Sequence, residues 1–166
     1  MRRVTRKAWA ITSPKPCSIR NHIIEKLLKT PHPHIVHYYG CREARGYITT
    51  IVLERLDTTL TQYISRPEFE SLDKTLESAV EYIRGLRLAH NDINPGDIVV
   101  RDGMAVLIDF DSCQPVGMRL QSLGSDGWYE GFFTTSAQSH DMYLHRSFLR
   151  HRYALRKLRE WIQNPS

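Results

Sequence analysis

The chain has 166 residues, a hydrophobic content of 41%, a charged content of 25% and a formal net charge of +5. That length fits one domain with a real core, and the composition excludes a disordered or low-complexity chain. Three scattered cysteines without a C-x-x-C exclude a disulfide framework, and no apolar run is long enough to span a bilayer.

In chain order, Val4 to Ile11 reads as a strand carrying Lys7, and Pro14 and Pro16 then break regular structure. Ser18 is a candidate cap for a helix whose apolar stripe is Ile19, Ile23, Ile24, Leu27 and Leu28, with Glu25 on it. The run Pro31 to Gly40 holds His32, His34 and His37. No fourth ligand stands at zinc-site spacing, so the run reads as an irregular turn before a strand. Tyr47 to Leu53 is a β-branched strand, Glu54-Arg55-Leu56 follows it, and Thr58 to Ile64, ended by Pro67, resembles the short helix after the hinge of protein kinases. Leu72 to Leu88 gives the clearest helix, with Leu76, Ala79, Val80, Ile83, Leu86 and Leu88 on its apolar face. Two apolar β-branched runs, Ile98 to Val100 and Ala105 to Ile108, flank Asp102-Gly103, a favoured two-residue hairpin turn. Near the end, Tyr153 to Trp161 reads as a helix. Between Asp141 and that helix lie the eleven residues Met142 to Arg152, rich in His and Arg. Joining Asp141 to Tyr153 would restore a pattern that resembles one of protein kinases, and that resemblance implies an insertion, a retained intron, with a functional basic helix as the alternative.

The chemistry concentrates around the hairpin. The loop before it carries Asp92 and Asp97, and its exit carries Asp109. Carboxylates at both ends of one ribbon can converge on one space, where hard oxygens suit Mg²⁺ and a carboxylate can accept a proton. Much of the excess positive charge lies in Arg2, Arg3, Arg6 and Lys7 and in the segment from Arg146 to Arg159. It is not interleaved with stacking aromatics, so neither nucleic acid nor a membrane is an expected partner. With no apolar signal core behind the basic N-terminus, the expectation is a monomeric, soluble, cytoplasmic chain with reduced thiols.

The stretch His90-Asn91-Asp92 to Asp97, with Asp109-Phe110, resembles the catalytic loop and metal motif of protein kinases, H-R-D-L-x-x-x-N and D-F-G. Independently, His32-Pro33-His34-Ile35-Val36 to Gly40 resembles that family's H-P-x-I-V-x-x-x-G connection. Gly124-Ser125-Asp126-Gly127-Trp128 is similar to the end of its activation segment, with Asp126 in place of proline. The H-N-D-I-N-P loop is most like that of compact fungal kinase-like proteins. The resemblance implies an α+β, protein-kinase-like bilobal fold, with a reduced N-lobe lacking the Gly-rich loop and a C-lobe ending early. The whole of 1–166 would be one such domain, 1–56 forming the N-lobe and hinge and 57–166 the partial C-lobe.

It also implies ATP and Mg²⁺ as cofactors and a protein Ser/Thr hydroxyl of unknown identity as acceptor. Asp92 would take the hydroxyl proton, and Asn94 stands at the second catalytic position, where a lysine is usual. Asp97 and Asp109 would hold the metal, Lys7 and Glu25 the phosphates, and Glu54 and Leu56, at the hinge, the adenine. Asp141 would brace the catalytic-loop backbone. Asn91 replaces arginine, Asp97 replaces asparagine and Asp111 replaces glycine. Three readings stay open: a minimal protein kinase, a pseudokinase serving as a nucleotide- or protein-binding module, and a small-molecule kinase of the aminoglycoside type.

Overall fold

Helix α1, Cys17–Lys29, opens the part of the chain that the computed structural model describes, namely residues 17–45, 47–56, 58–63, 70–118, 124–128 and 140–164. It starts one residue before the expected cap and buries Ile23, with Leu27 partly covered. The strand expected over Val4 to Ile11, and Lys7 with it, lie outside the described residues. The histidine-rich run then turns on the Ile35 amide, which donates to the His32 carbonyl at 3.1 Å. His32 stacks on Tyr82 and His37 packs edge-on to Tyr39, so these rings serve packing. Strands β1, Tyr38–Ala44, and β2, Tyr47–Leu53, form an antiparallel pair.

The segment expected as one short helix from Thr58 is instead a two-residue strand, β3, Thr58–Thr59, followed by α2, Leu60–Tyr63. Thr58 and Thr59 are β-branched and pair with Val100 and Val99, so sheet contact overrides the helical reading there. The strong helix, α3, Glu70–Gly85, buries Leu72, Leu76, Ala79, Val80 and Ile83 along one face. It stops short of Leu88 because Gly85 weakens the helix and Arg87 adopts a left-handed φ of 58°. Lys26 of α1 donates to the Leu86 carbonyl at 3.1 Å, satisfying an acceptor just past the helix end.

Leu88 and Ala89 therefore form strand β4, paired antiparallel with β7, Gln114–Pro115. Between them stands the expected hairpin of β5, Ile98–Arg101, and β6, Met104–Leu107, whose register Arg101↔Met104 leaves Asp102-Gly103 as the turn. Both turn residues have positive φ, 51° and 77°, the pattern of a type I′ turn and the reason Asp-Gly sits there. Strand β3 completes this sheet in the order β3-β5-β6, and Leu107 also bridges Ile35 in parallel. The Thr75 hydroxyl fastens α3 to β6 by accepting from the Ala105 amide at 3.0 Å.

The last element, α4, runs unbroken from His140 to Gln163 through the segment that reads as an insertion. It packs on α3 and β4, burying Ala154 and Leu158 in the core shared by α3, β5 and β6. Each fully buried aliphatic side chain of this core, such as Ile83, Ile98 or Leu107, contributes about 1.5–3 kcal/mol relative to exposure. The architecture is α+β, with small antiparallel sheets and few helices among the described residues. It is compatible with a reduced protein-kinase-like fold. Among the described residues no helix is long and apolar enough to cross a membrane.

Candidate functional site

The loop between β4 and β5 is held by side chains rather than by regular structure. His90 is fully buried, and its Nε2 faces the Ile108 carbonyl at 3.0 Å, so that nitrogen carries the proton and donates. Phe110 packs edge-on against the ring, with centroids 5.0 Å apart. Burial lowers the His90 pKa, outweighing the nearby carboxylates of Asp109 and Asp92, so the imidazole is neutral. Asn91 is buried with a left-handed φ of 68°, a conformation that asparagine tolerates better than most residues, and its amide donates to the Ser112 carbonyl at 3.0 Å. The Ile108 amide donates to the Asp97 carbonyl at 2.9 Å. These bonds tie the loop before the hairpin to the segment leaving it.

Asp92, Asn94 and Asp97 form one network. The Asn94 Nδ2 donates to Asp97 Oδ2 at 2.7 Å, and lies 3.3 Å from Asp92 Oδ1 and 3.2 Å from Ser125 Oγ. Two N–H bonds thus face three acceptors, with the shortest to Asp97. Asn94 Oδ1 accepts from the Gly96 amide at 2.8 Å and caps the 3₁₀ turn Pro95–Asp97 that leads into β5. A lysine could bond the carboxylates but could not accept at this cap.

Asp97 is half-buried, and its pKa rises to about 8, first through burial and then through the carboxylates of Asp109 and Asp92. The Asn94 hydrogen bond opposes that rise without cancelling it. Asp109 is exposed at the hairpin exit with a left-handed φ of 53°, and its Oδ1 accepts from the Asp111 amide at 3.1 Å. The unusual backbone therefore sits at Asp109 itself, while Asp111 is not among the positive-φ residues. Asp97 and Asp109 offer only hard oxygens. Among the described residues no group of three or more His, Cys, Asp or Glu is arranged to hold a metal by itself. That donor set fits Mg²⁺, which binds through one or two carboxylates and keeps water and phosphate oxygens as its other ligands.

The remaining candidates divide. Glu25 is exposed on α1, and Lys7, its expected partner, lies outside the described residues. The Glu54 amide donates to the His37 carbonyl at 2.8 Å, and its carboxylate accepts from Arg101 at 2.7 Å. Leu56 packs with Leu53, Ile108 and Phe110 on a small apolar cluster of Val36, Val99 and Val106. This lays an apolar surface beside the segment from Glu54 to Leu56. Asp141 is in the first turn of α4, and its side chain lies outside what is described.

Two contacts escape the sequence reading. Ser125 caps Asp92 twice, its amide donating to Oδ1 at 2.8 Å and its hydroxyl to Oδ2 at 3.1 Å. Gly124 permits this approach: with φ of 87°, a Cβ there would lie 2.8 Å from the Asn91 carbonyl oxygen. The second is His151 on α4, whose Nε2 accepts from the His90 amide at 3.1 Å. For Ser125 the available signal is a hydroxyl beside a glycine in the Gly124 to Trp128 motif. For His151 it is the spacing to Ala154, Leu158 and Trp161 on a helical stripe.

No family model matches the chain. A serine/threonine-protein kinase/endoribonuclease IRE2 of Homo sapiens is 28% identical over 117 residues, covering 58% of this chain and 12% of that protein. A probable bifunctional tRNA threonylcarbamoyladenosine biosynthesis protein of Methanoculleus marisnigri is 38% identical over 61 residues, covering 37% of this chain and 11% of that protein. The chain thus spans about an eighth or less of the curated relatives it matches, of which the first is named as a kinase.

Proposed function

We propose that this chain is a protein-kinase-like phosphotransferase domain that binds Mg²⁺-ATP and transfers its terminal phosphoryl group to a protein Ser/Thr hydroxyl. In this reading 1–56 supply the upper lobe and hinge and 57–166 the lower lobe. The observation that carries it is that Asn94 links Asp92 and Asp97 in the loop before the hairpin, and that Asp109 at its exit is near enough for its charge, with that of Asp92 and after burial, to raise Asp97 to about 8. Carboxylates crowded this way suit a site whose ligand brings the positive charge.

The chain's own residues divide the work. Asp97 and Asp109 would hold Mg²⁺, which when bound would neutralise phosphate charge. Asp92 orients the acceptor hydroxyl and takes its proton, while the Ser125 hydroxyl and amide fix the carboxylate in one orientation. Asn94 ties Asp92 to Asp97 and keeps their spacing. It supplies no charge, so less of the transferring phosphate's charge is met than with a lysine. Lys7 with Glu25 would orient the phosphates, and the carbonyl of Glu54 and the amide of Leu56 would meet adenine above the Val99 surface. Catalysis of this kind is positioning plus electrostatics, which these residues are built to provide.

A second reading, a nucleotide-binding module without turnover, is favoured by the neutral Asn94 amide, which is committed to carboxylates and Ser125. Thermal unfolding with and without ATP and Mg²⁺, for the wild type and for Asp109→Ala, tests the binding site common to both. At ligand a hundredfold above Kd the stabilisation is about 2.7 kcal/mol. A Mg²⁺-dependent rise that Asp109→Ala loses is the expected result. No rise at millimolar ATP would refute the site. Transfer of labelled phosphate to a Ser/Thr acceptor then separates the two readings.

A further inference from the structure

The start of the carboxylate loop is fastened from two directions. The His90 ring and the Asn91 side chain bind backward onto the segment leaving the hairpin, at Ile108 and Ser112. The His90 backbone amide instead reaches α4, where His151 Nε2 accepts it at 3.1 Å. Both residues are buried, His90 at 0% and His151 at 3% exposure. A backbone amide can only donate, so His151 Nε2 must present a lone pair and its proton must sit on Nδ1. Burial first, and then His90, Arg84 and Arg150, hold the His151 pKa down to about 3 and keep the ring neutral.

The next residue, Asn91, has a left-handed backbone, and such a residue persists only where its surroundings over-determine it. Asp92 follows directly. One of its side-chain supports, Ser125, also neighbours α4, because Trp128, three residues on, packs edge-on to Trp161 with centroids 6.3 Å apart. Helix α4 is in turn anchored by Ala154 and Leu158 in the core.

We infer that His151 is a positioning residue for Asp92: its imidazole holds the His90 amide and so fixes the loop that carries the carboxylate to α4. The inference rests on the phosphotransferase reading for its catalytic consequence, and on geometry alone for the fastening. A misplacement of about 1 Å costs about a hundredfold in rate.

The test uses the full chain with His151→Leu, which fills the space without an acceptor, and His151→Gln, which carries an acceptor close to the Nε2 position. In His151→Leu the His90 amide should exchange with deuterium at least tenfold faster, and phosphoryl transfer should fall about a hundredfold with the KM for ATP within twofold. His151→Gln should restore most of both. Ring-nitrogen NMR of the wild type should find His151 protonated at Nδ1, a result that needs no variant to fold. An Nε2-protonated ring, unchanged His90 exchange in folded His151→Leu, or a folded His151→Gln as impaired as His151→Leu would each overturn the inference. If the wild type binds no Mg²⁺-ATP, the phosphotransferase reading fails, while the exchange and tautomer results still decide whether His151 fastens the loop.

Discussion

Replacing Asp97 with asparagine should stabilise the metal-free protein near pH 8 and leave it unchanged near pH 4. In the folded chain Asp97 keeps its proton up to about pH 8, against an ordinary value of 3.8. The unfolded chain releases it near pH 4. Between these values the folded state binds more protons, so stability is fully present below pH 4 and is lost as pH rises through about 8. Each pH unit in that window costs the folded state about 1.4 kcal/mol before screening. Asp97 is only half-buried, and solvent screening reduces the total to about 2–3 kcal/mol. The amide introduced by Asp97→Asn cannot ionise, yet its carbonyl can still accept from Asn94 Nδ2. For a chain of this size that difference is about 5–10 °C in Tm at pH 8. Thermal unfolding of both proteins from pH 4 to 9, with chelator present, makes the comparison, and groups common to both cancel. Curves that run parallel across the range would refute the buried setting beside Asp109 and Asp92 that the proposed metal site gives Asp97.

Asp92→Asn should lower phosphoryl transfer by about 10²–10⁴-fold while leaving the Mg²⁺-ATP thermal shift intact, because only the proton acceptor is lost. Gly124→Ala should destabilise the chain by about 1–3 kcal/mol, since φ is 87° and the new Cβ meets the Asn91 carbonyl at 2.8 Å. A Tm within 1 °C of wild type, by an assay resolving about 1 °C, would count against that account. Leu158→Ala, at a position 1% exposed, should cost about 2–5 kcal/mol, read from urea unfolding midpoints.

The hairpin was legible because every local signal agrees: β-branched runs, an Asp-Gly turn and carboxylates at its ends. The long helices follow from their apolar periodicity. Less legible were the two-residue strands β3, β4 and β7, which exist only through partners distant in sequence, Val99 and Val100 for β3 and one another for β4 and β7. The carboxylates could be placed near one another by spacing alone. What spacing could not supply is how Asp92 is held. Ser125 reaches it from 33 residues away, and no periodicity encodes such a contact. Asn91 and Asp109 carried a faint signal, since Asn and Asp are among the residues that tolerate left-handed backbone, and both adopt it.

The segment Met142 to Arg152 shows how a sequence can mislead about continuity. It interrupts a family resemblance, and on that ground it reads as foreign. Its eleven residues, however, make about three turns of an α-helix, so they lengthen α4 without rotating the face that carries Ala154, Leu158 and Trp161. His151 falls on that same face, three residues before Ala154 and seven before Leu158. A histidine on an apolar stripe most often satisfies a core hydrogen bond, and here the bond goes to the His90 amide. Whatever the origin of the segment, its C-terminal end belongs to the folded core, with Arg150 and His151 both buried. The interruption in the motif and the continuity of the helix are therefore compatible, because family motifs track side-chain identity whereas a helix needs only phase.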